Sequence, residues 1–393
     1  MRTLKIGIDA RFLTHPKAGG YQTYVQELVA AFNRVQPEHE LWIVLAADQP
    51  QFVGLSQLRQ VVEPVIIPFA GVGWREQWGL PRLARRLRLD LMHYPSNTMP
   101  WKPLVPSVAT LHDTIAIGRR AVSANLHNAL IDAYEAFGVR QVSRNARLVI
   151  TGSDTAAHDL VAAGVPADRV RIIHHGIRED FWRRPDPAAL DEFCQRRGLT
   201  RPYLLTMASA DRRKNAGAAI EAFARRIDRH PNLTLVVLLT ANDLRAELEG
   251  MVATSGAAGR VRFLERIPAA DMPALYAGAS ALLFLSLREG FGLPPLESMA
   301  CGTPVICSNR PPMTTLYGES VVLVEPTDIN AVGLAIDRLI DDDSARGQIV
   351  SRGRETARQF SWNRAARDTI RVYEEAVGEQ SREIASSFGR STG

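Results

Sequence analysis

The sequence predicts an α/β protein made of two doubly wound parallel-sheet domains, and three observations carry that prediction. Apolar runs such as Leu91–Tyr94, Tyr203–Ala208 and Ala281–Leu285 are continuous rather than alternating, which marks strands buried on both faces. Stretches with helical apolar spacing separate most of them, so successive strands are joined by crossovers, as in a parallel sheet. The pattern occurs twice along 393 residues, a length too great for one ordinary core.

Taken in order, Leu4–Asp9 reads as a first strand that yields to a loop, Thr14–Gly20. From Tyr21 the apolar positions Tyr24, Val25, Leu28, Val29 and Phe32 fall at helical spacing. Gly19-Gly20 thus precedes a helix N-terminus, where amides and the macrodipole favour an anion, although such a pair also serves as a simple turn. Leu41–Ala46 and Val65–Pro68 read as strands. Trp74–Leu89 reads as a helix that packs on a sheet through Trp74, Trp78, Leu80, Leu83 and Leu87, interrupted at Pro81. Its arginines at 75, 82, 85, 86 and 88 also allow a membrane-surface helix. Leu91–Tyr94 and Ser107–Leu111 follow, the second delivering His112-Asp113 to the strand edge where α/β sites form. Arg147–Thr151 and Val170–Ile173 complete the first set.

His174-His175 point to opposite sides of an extended chain and make no metal pair. The Arg/Pro-rich stretch Arg183–Pro187 marks a boundary. The second set opens with Tyr203–Ala208, followed by the basic loop Asp211-Arg-Arg-Lys-Asn215 and a helix from Ala216 to Arg229. Further strands are Leu233–Leu239, Val261–Leu264, Ala281–Leu285, Pro304–Cys307 and Val321–Val324. A helix from Trp362 to Val377, capped by Ser361, presents Trp362, Ala366, Ile370, Tyr373 and Val377 on one face. The polar remainder, Gly378–Gly393, is expected to fray.

Composition narrows the function classes. Apolar residues are 46% and charged residues 23%, as in a globular protein. Net charge +5 and a pI of about 9.3 suit a phosphate-bearing ligand or an anionic membrane surface without requiring either. Cys194, Cys301 and Cys307 lack metal spacing, and a reducing cytoplasm suits them. No signal peptide or transmembrane run is expected. A Gly-x-Gly-x-x-Gly after the first strand, a Walker A loop and a Gly-x-Ser-x-Gly elbow are all lacking from the sequence. Asp341-Asp342-Asp343 reads as a solvated acidic connection, not a metal motif.

Three features at strand ends remain: Gly19-Gly20, Arg213-Lys214, and the loop Glu289 to Leu293. Arginine and lysine at a helix head clamp phosphate, and a carboxylate accepts from ribose hydroxyls. Glu289 sits in a glycine loop after a strand, and Glu297 early in the next helix, whose first turn suits Pro294 and Pro295. Two such carboxylates could also be a glycosidase pair, but that chemistry leaves Arg213-Lys214 unexplained.

With these residues in hand, the chain resembles the retaining glycosyltransferases of family 4, of GT-B architecture. Glu289-Gly-Phe-Gly-Leu-Pro-Pro-Leu-Glu297 is similar to that family's E-x7-E motif, flanked by Phe284-Leu-Ser-Leu-Arg-Glu and Ala300-Cys-Gly-Thr-Pro-Val. The likeness extends to Gly19-Gly20, Leu111-His-Asp113, Arg213-Lys-Asn215 and Phe360-Ser-Trp362. It implies two Rossmann-like domains facing a cleft: residues 1–178, with the helix 362–378 packing back on it, on the acceptor side, and 179–361 on the donor side, followed by a frayed tail at 379–393. It implies that Glu297 binds the donor ribose and Glu289 the donor sugar. Amides of Gly290, Phe291, Gly292 and Leu293 would touch sugar or phosphate, and Arg213 and Lys214 would stabilise the diphosphate. His112 would lie at the reaction centre, Gly20 would leave room for phosphate or acceptor, and Ile267 would lie near the base. Where many members carry Gly-Arg, this chain has Met207-Ala208 and so lacks one common phosphate arginine, for which Arg212 and Arg213 are the two candidate replacements.

The expected reaction moves mannose from GDP-mannose, as in mannosyltransferases of cell-surface polysaccharide synthesis, to a glycan or lipid-linked acceptor, with retention and without metal or cofactor. UDP-glucose is the alternative donor. A UDP-sugar 2-epimerase and an inactive binding protein on the same architecture are the other readings. No nucleic acid partner is expected. The expected location is cytoplasmic, with possible peripheral contact at the inner face of the membrane.

Overall fold

The computed structural model describes residues 2–14, 20–46, 58–62, 75–113, 137–209, 211–240, 244–265 and 267–388. The chain forms two compact units, Met1–Gly176 with Trp362–Gly393, and Ile177–Ser361.

The first unit is built on a seven-stranded parallel sheet in the order β3-β2-β1-β4-β5-β6-β7. Its strands are β1 (Lys5–Asp9), β2 (Glu40–Leu45), β3 (Arg59–Val62), β4 (Leu91–Tyr94), β5 (Ser107–Thr110), β6 (Leu148–Thr151) and β7 (Val170–Ile172). β4, β5 and β6 are buried along their whole length, as continuous apolar runs in a doubly covered sheet must be. The strand expected at 65–68 lies outside the described residues. β3 stands earlier, where Arg59-Gln-Val-Val62 lacks the long apolar run that marks an inner strand, as befits an edge.

One sheet face is covered by the helices Gly20–Val35 and Trp362–Phe388, whose Phe32, Trp362 and Tyr373 share a core with Ile6 and Ile8. The last helix runs to Phe388, past the Val377 expected as its end. The other face holds Leu80, Leu83 and Leu89 with Tyr94, Val142 and Val149. The helix expected at Trp74–Leu89 is in two parts, a π turn Arg75–Gly79 and an α-helix Leu80–Arg86, with Pro81 in the first α turn, where its missing N–H costs nothing. Leu80 and Leu83 pack inward as expected, but Trp78 is 51% exposed and does not join the stripe.

The second unit has a six-stranded parallel sheet in the order β10-β9-β8-β11-β12-β13. These are β8 (Tyr203–Ala208), β9 (Thr234–Leu239), β10 (Val261–Glu265), β11 (Ala281–Phe284), β12 (Val305–Ser308) and β13 (Val322–Val324). The helix after the basic loop is shorter than expected, Ala216–Ala224. Asp342 caps the helix Asp343–Ala357 and Asp341 pairs with Arg229, so the acidic run is consumed by local structure. Among the described residues no helix is long and apolar enough to cross a membrane.

Candidate functional site

In the second unit β8 and β11 are hydrogen-bonded neighbours, with Leu282 opposite Leu205, yet the chain leaves β8 for β9 and β10 on the other side before it reaches β11. Strand order reverses between them, and the loops at their carboxyl ends flank the crevice where open α/β sheets bind ligands.

The loop after β8 is the basic one. The Asp211 carboxylate accepts from the Arg213 amide (3.0 Å) and from Arg213 Nε (2.8 Å), which fixes the 3-10 turn Arg212–Lys214. Asn215 ends the turn at φ 55°, a left-handed conformation that asparagine tolerates, and donates through Nδ2 to the Pro326 carbonyl. The loop after β11 is tied to this turn twice: Leu287 N–H donates to the Arg213 carbonyl (2.8 Å), and Arg213 Nη1 donates to the Arg288 carbonyl (2.6 Å).

On this scaffold Lys214 Nζ stands 2.6 Å from Glu289 Oε1, and Arg213 Nη1 stands 3.1 Å from Oε2. The ammonium also lies 5.2 Å from the centre of the Phe284 ring. Burial pushes the Glu289 pKa upward, but Lys214 first and Arg213 second outweigh it, and the carboxyl ends below its usual range. Arg212 turns away to pair with Glu247. Of the two arginines that could replace the one missing at Ala208, Arg213 is therefore the one beside Glu289. Lys214 also borders a crevice of about 430 Å³ on the far side of the basic turn, walled by Asn215, Glu221 and Leu248.

The glycine loop follows. Gly292 has φ +95°, and a Cβ there would stand 2.5 Å from Met313 Cε, so both backbone and packing demand glycine. The Tyr317 hydroxyl donates to its carbonyl (2.8 Å). The Phe291 ring is buried edge-to-face with Phe360 and so is turned into the core. The helix Leu293–Cys301 begins here, and Pro294 and Pro295 carry no N–H, so its first turn offers the Leu293 amide alone. One turn on, Glu297 Oε2 accepts from the buried Tyr276 hydroxyl (2.8 Å). Ile267 follows β10, two strands from β8, and packs partly buried on the core of this unit. The structure thus gathers Arg213, Lys214, Glu289, Gly290–Leu293 and Glu297 at one corner, with Ile267 further along the same edge.

Gly20 and His112 belong to the first unit, where strand order reverses between β1 and β4. Gly20 opens its helix, and a Cβ there would meet nothing within 4 Å. His112 follows β5 and donates from Nε2 to the Pro95 carbonyl (3.0 Å), which fixes its tautomer. Its ring lies 4.6 Å from Tyr24 and 5.0 Å from Tyr21. Burial lowers its pKa to about 4 against the opposing pull of the Pro95 carbonyl, so the imidazole is neutral at pH 7.

Sequence reasoning missed Asn97. Buried at φ 60°, it accepts the His112 N–H on Oδ1 (2.8 Å) and donates through Nδ2 to the Tyr21 hydroxyl (2.7 Å). Its only signal was an asparagine just after a strand, a residue that tolerates the left-handed region. Missed too was the buried group Asp9, Arg11, Glu76 and Thr98, in which Arg11 binds Asp9 through two nitrogens (2.7 and 2.8 Å). Among the described residues no three His, Cys, Asp or Glu side chains stand close enough to hold a metal ion.

Comparison with known proteins matches this arrangement. Residues 18–181 match the family described as Glycosyltransferase Family 4, and residues 191–356 the one described as Glycosyl transferases group 1. The O-antigen chain mannosyltransferase B of Escherichia coli is 27% identical over 305 residues, 76% of this chain and 77% of that one. The D-inositol 3-phosphate glycosyltransferase of Salinispora tropica is 27% identical over 397 residues, 92% of this chain and 82% of that one. In fold, the chain superposes with a TM-score of 0.71 and 20% identity on Anabaena HepE, solved in complex with UDP and glucose, over 95% of this chain and all of that one. Fold and sequence together define a GT-B glycosyltransferase. The chain belongs to the family 4 glycosyltransferases and resembles their mannosyltransferases.

Proposed function

We propose that the protein transfers a hexose, mannose from GDP-mannose, to a glycan or lipid-linked acceptor, with retention of anomeric configuration and without a metal ion. The observation that carries this reading is the meeting of Lys214 and Arg213 with Glu289 at the sheet's reversal point. Two cations held by the scaffold before substrate arrives are suited to the charge of a departing nucleoside diphosphate. When the diphosphate enters, they exchange Glu289 for phosphate oxygens, and the freed carboxylate accepts from sugar hydroxyls. The Leu293 amide and its helix N-terminus add to the phosphate side. Glu297, held by Tyr276, accepts from the ribose hydroxyls, and Ile267 packs near the base.

In the reaction the bond from the sugar's anomeric carbon to the phosphate oxygen breaks, and a bond to the acceptor oxygen forms on the same face. The acceptor's proton passes to the departing phosphate oxygen, so no protein nucleophile is required. His112, assigned to the reacting sugar, is a poor proton acceptor at pH 7 and serves as a neutral hydrogen-bonding ring, while Gly20 leaves room beside it. The enzyme is proposed to work at the cytoplasmic face of a membrane.

Mannose is favoured by the mannosyltransferase relative; UDP-glucose is the second donor, since HepE of the same fold was solved with UDP and glucose. The test is a thermal-shift panel over GDP-, UDP-, ADP- and dTDP-sugars, followed by NMR of the product. A ligand at 100 times its Kd adds about 2.7 kcal/mol. Silence toward every nucleotide overturns the donor site, epimerised nucleotide sugar marks an epimerase, and binding without turnover in any acceptor extract marks a binding protein.

A further inference from the structure

The loop after β4 is buried, where a connection between elements is usually wet. Residues 95–100 are all withdrawn from solvent, so their polar groups must find partners inside the first unit. The loop is clamped twice. Thr98 Oγ1 donates to Glu76 Oε2 (2.8 Å), and that carboxylate oxygen lies 3.6 Å from Arg11 Nη2, just after β1. Gly138 presses against the same loop: a Cβ there would stand 2.8 Å from the Asn97 carbonyl oxygen and 2.9 Å from Thr98 Cγ2.

Within this clamp Asn97 engages both ends of its side-chain amide. Its backbone N–H donates to the Thr110 carbonyl (3.2 Å) at the end of β5. Oδ1 accepts the His112 N–H (2.8 Å), and Nδ2 donates to the Tyr21 hydroxyl (2.7 Å). Tyr21 follows β1, Asn97 follows β4 and His112 follows β5, so one amide joins loops on both sides of the reversal between β1 and β4. The residue type is restricted. A backbone at φ 60° favours glycine or asparagine. Glycine lacks the amide, and an ionised aspartate lacks the donor.

His112 is thereby held at both ends by one loop. Its main chain is fixed by Asn97 Oδ1, and its ring by the Pro95 carbonyl, which accepts from Nε2–H (3.0 Å) and leaves Nδ1 as the ring's acceptor. We propose that Asn97 is the positioning residue of His112: it fixes where the imidazole stands and which nitrogen carries the proton. The core beneath is already closed by Met99, Leu111 and Val142, and the loop by Thr98 and Gly138, so the amide is not needed to bury apolar surface. What it adds is the register of His112 and Tyr21. The inference rests on the transferase reading only in placing His112 at the reacting sugar.

The experiment compares Asn97→Gly, which keeps the left-handed backbone without strain and removes the amide, with Asn97→Asp, which keeps an acceptor for the His112 N–H. In steady-state kinetics Asn97→Gly is expected to lower kcat on the order of 10- to 100-fold, the scale of a small misplacement in a site, with the donor KM within about twofold of wild type. Asn97→Asp should recover most of that loss, and an unchanged nucleotide-induced thermal shift in both variants shows that the donor unit is intact. Nitrogen NMR of the imidazole, assigned with His112→Gln, needs no turnover. Wild type is expected to show the proton on Nε2, and Asn97→Gly to show exchange between the two tautomers. A kcat in Asn97→Gly equal to that of wild type overturns the proposal, even if the melting temperature falls, since that marks a purely structural role. So does a ring in Asn97→Gly that keeps its proton on Nε2. A wild type that turns over no nucleotide sugar, with a tautomer that responds to Asn97→Gly, supports the positioning and refutes the transferase reading.

Discussion

Lys214 and Glu289, 75 positions apart in the chain, meet at 2.6 Å because β8 and β11 are adjacent and their loops are cross-linked through Arg213. The contact orders the ammonium before any substrate arrives, and preorganisation is what makes a charge effective in catalysis. Lys214→Ala is expected to lower kcat/KM by about 2–4 kcal/mol of transition-state stabilisation, roughly 30- to 1000-fold. Steady-state kinetics with the donor found in the nucleotide panel measures this, and activity within a few-fold of wild type refutes the assignment.

The Tyr276 hydroxyl donates to Glu297 Oε2 near the start of its helix. Tyr276→Phe removes one hydrogen bond to a carboxylate proposed to hold ribose, at a cost of about 1.5–3 kcal/mol. The loss should appear mainly in the KM for donor, with kcat little altered. A fall confined to kcat sinks the ribose role.

Gly292→Ala forces a Cβ into a left-handed backbone and against Met313 Cε at 2.5 Å. Strain of this kind costs on the order of 1–3 kcal/mol. The variant should unfold at lower urea and lose donor-induced thermal shift, since the displaced loop carries Glu289. Gly20→Ala meets open space and should leave urea stability unchanged.

Metal dependence separates the proposed electrostatics from a cation-assisted reaction. Turnover should survive EDTA unchanged, because Lys214 and Arg213 supply the positive charge. Activity abolished by the chelator and restored by Mn²⁺ contradicts the mechanism.

His93, wholly buried, shares its two ring nitrogens with Thr110 and Tyr373 (2.8 and 2.7 Å), and burial lowers its pKa to about 3. Between pH 6.5 and 3 the unfolded chain therefore binds a proton that the folded chain refuses. Stability is full above pH 6.5 and falls below it, by at most about 1.4 kcal/mol per pH unit from this residue. Denaturant midpoints at pH 7 and 5 should differ less in His93→Gln than in wild type. An equal acid slope in both removes His93 as a cause.

Much of this was legible because buried parallel strands leave long apolar runs: β4 and β8 stand where Leu91–Tyr94 and Tyr203–Ala208 place them. β3 was not legible, since an edge strand covered on fewer sides tolerates Arg59 and Gln60. Glu289, Glu297 and Lys214 could be found from local context, because each lies beside a strand end. Tyr276 and Asn97 could not. They act through partners 21 and 15 residues away, and only tertiary packing brings the atoms together. Trp78 defeated periodicity for another reason: the π turn at Arg75–Gly79 rotates it out of the stripe that a regular helix would keep.

The return of Trp362 and Tyr373 to the core of Ile6 and Phe32 has a consequence for biosynthesis. The first unit is discontinuous, so a nascent chain that has emerged through Gly176 still lacks the helix that covers one face of its sheet. Residues 177–361, which form an unbroken unit, are made in between. At ~5–20 residues per second that leaves the half-covered sheet waiting on the order of ten to forty seconds. The order of completion is thus inverted, the second unit becoming whole before the unit whose synthesis began first.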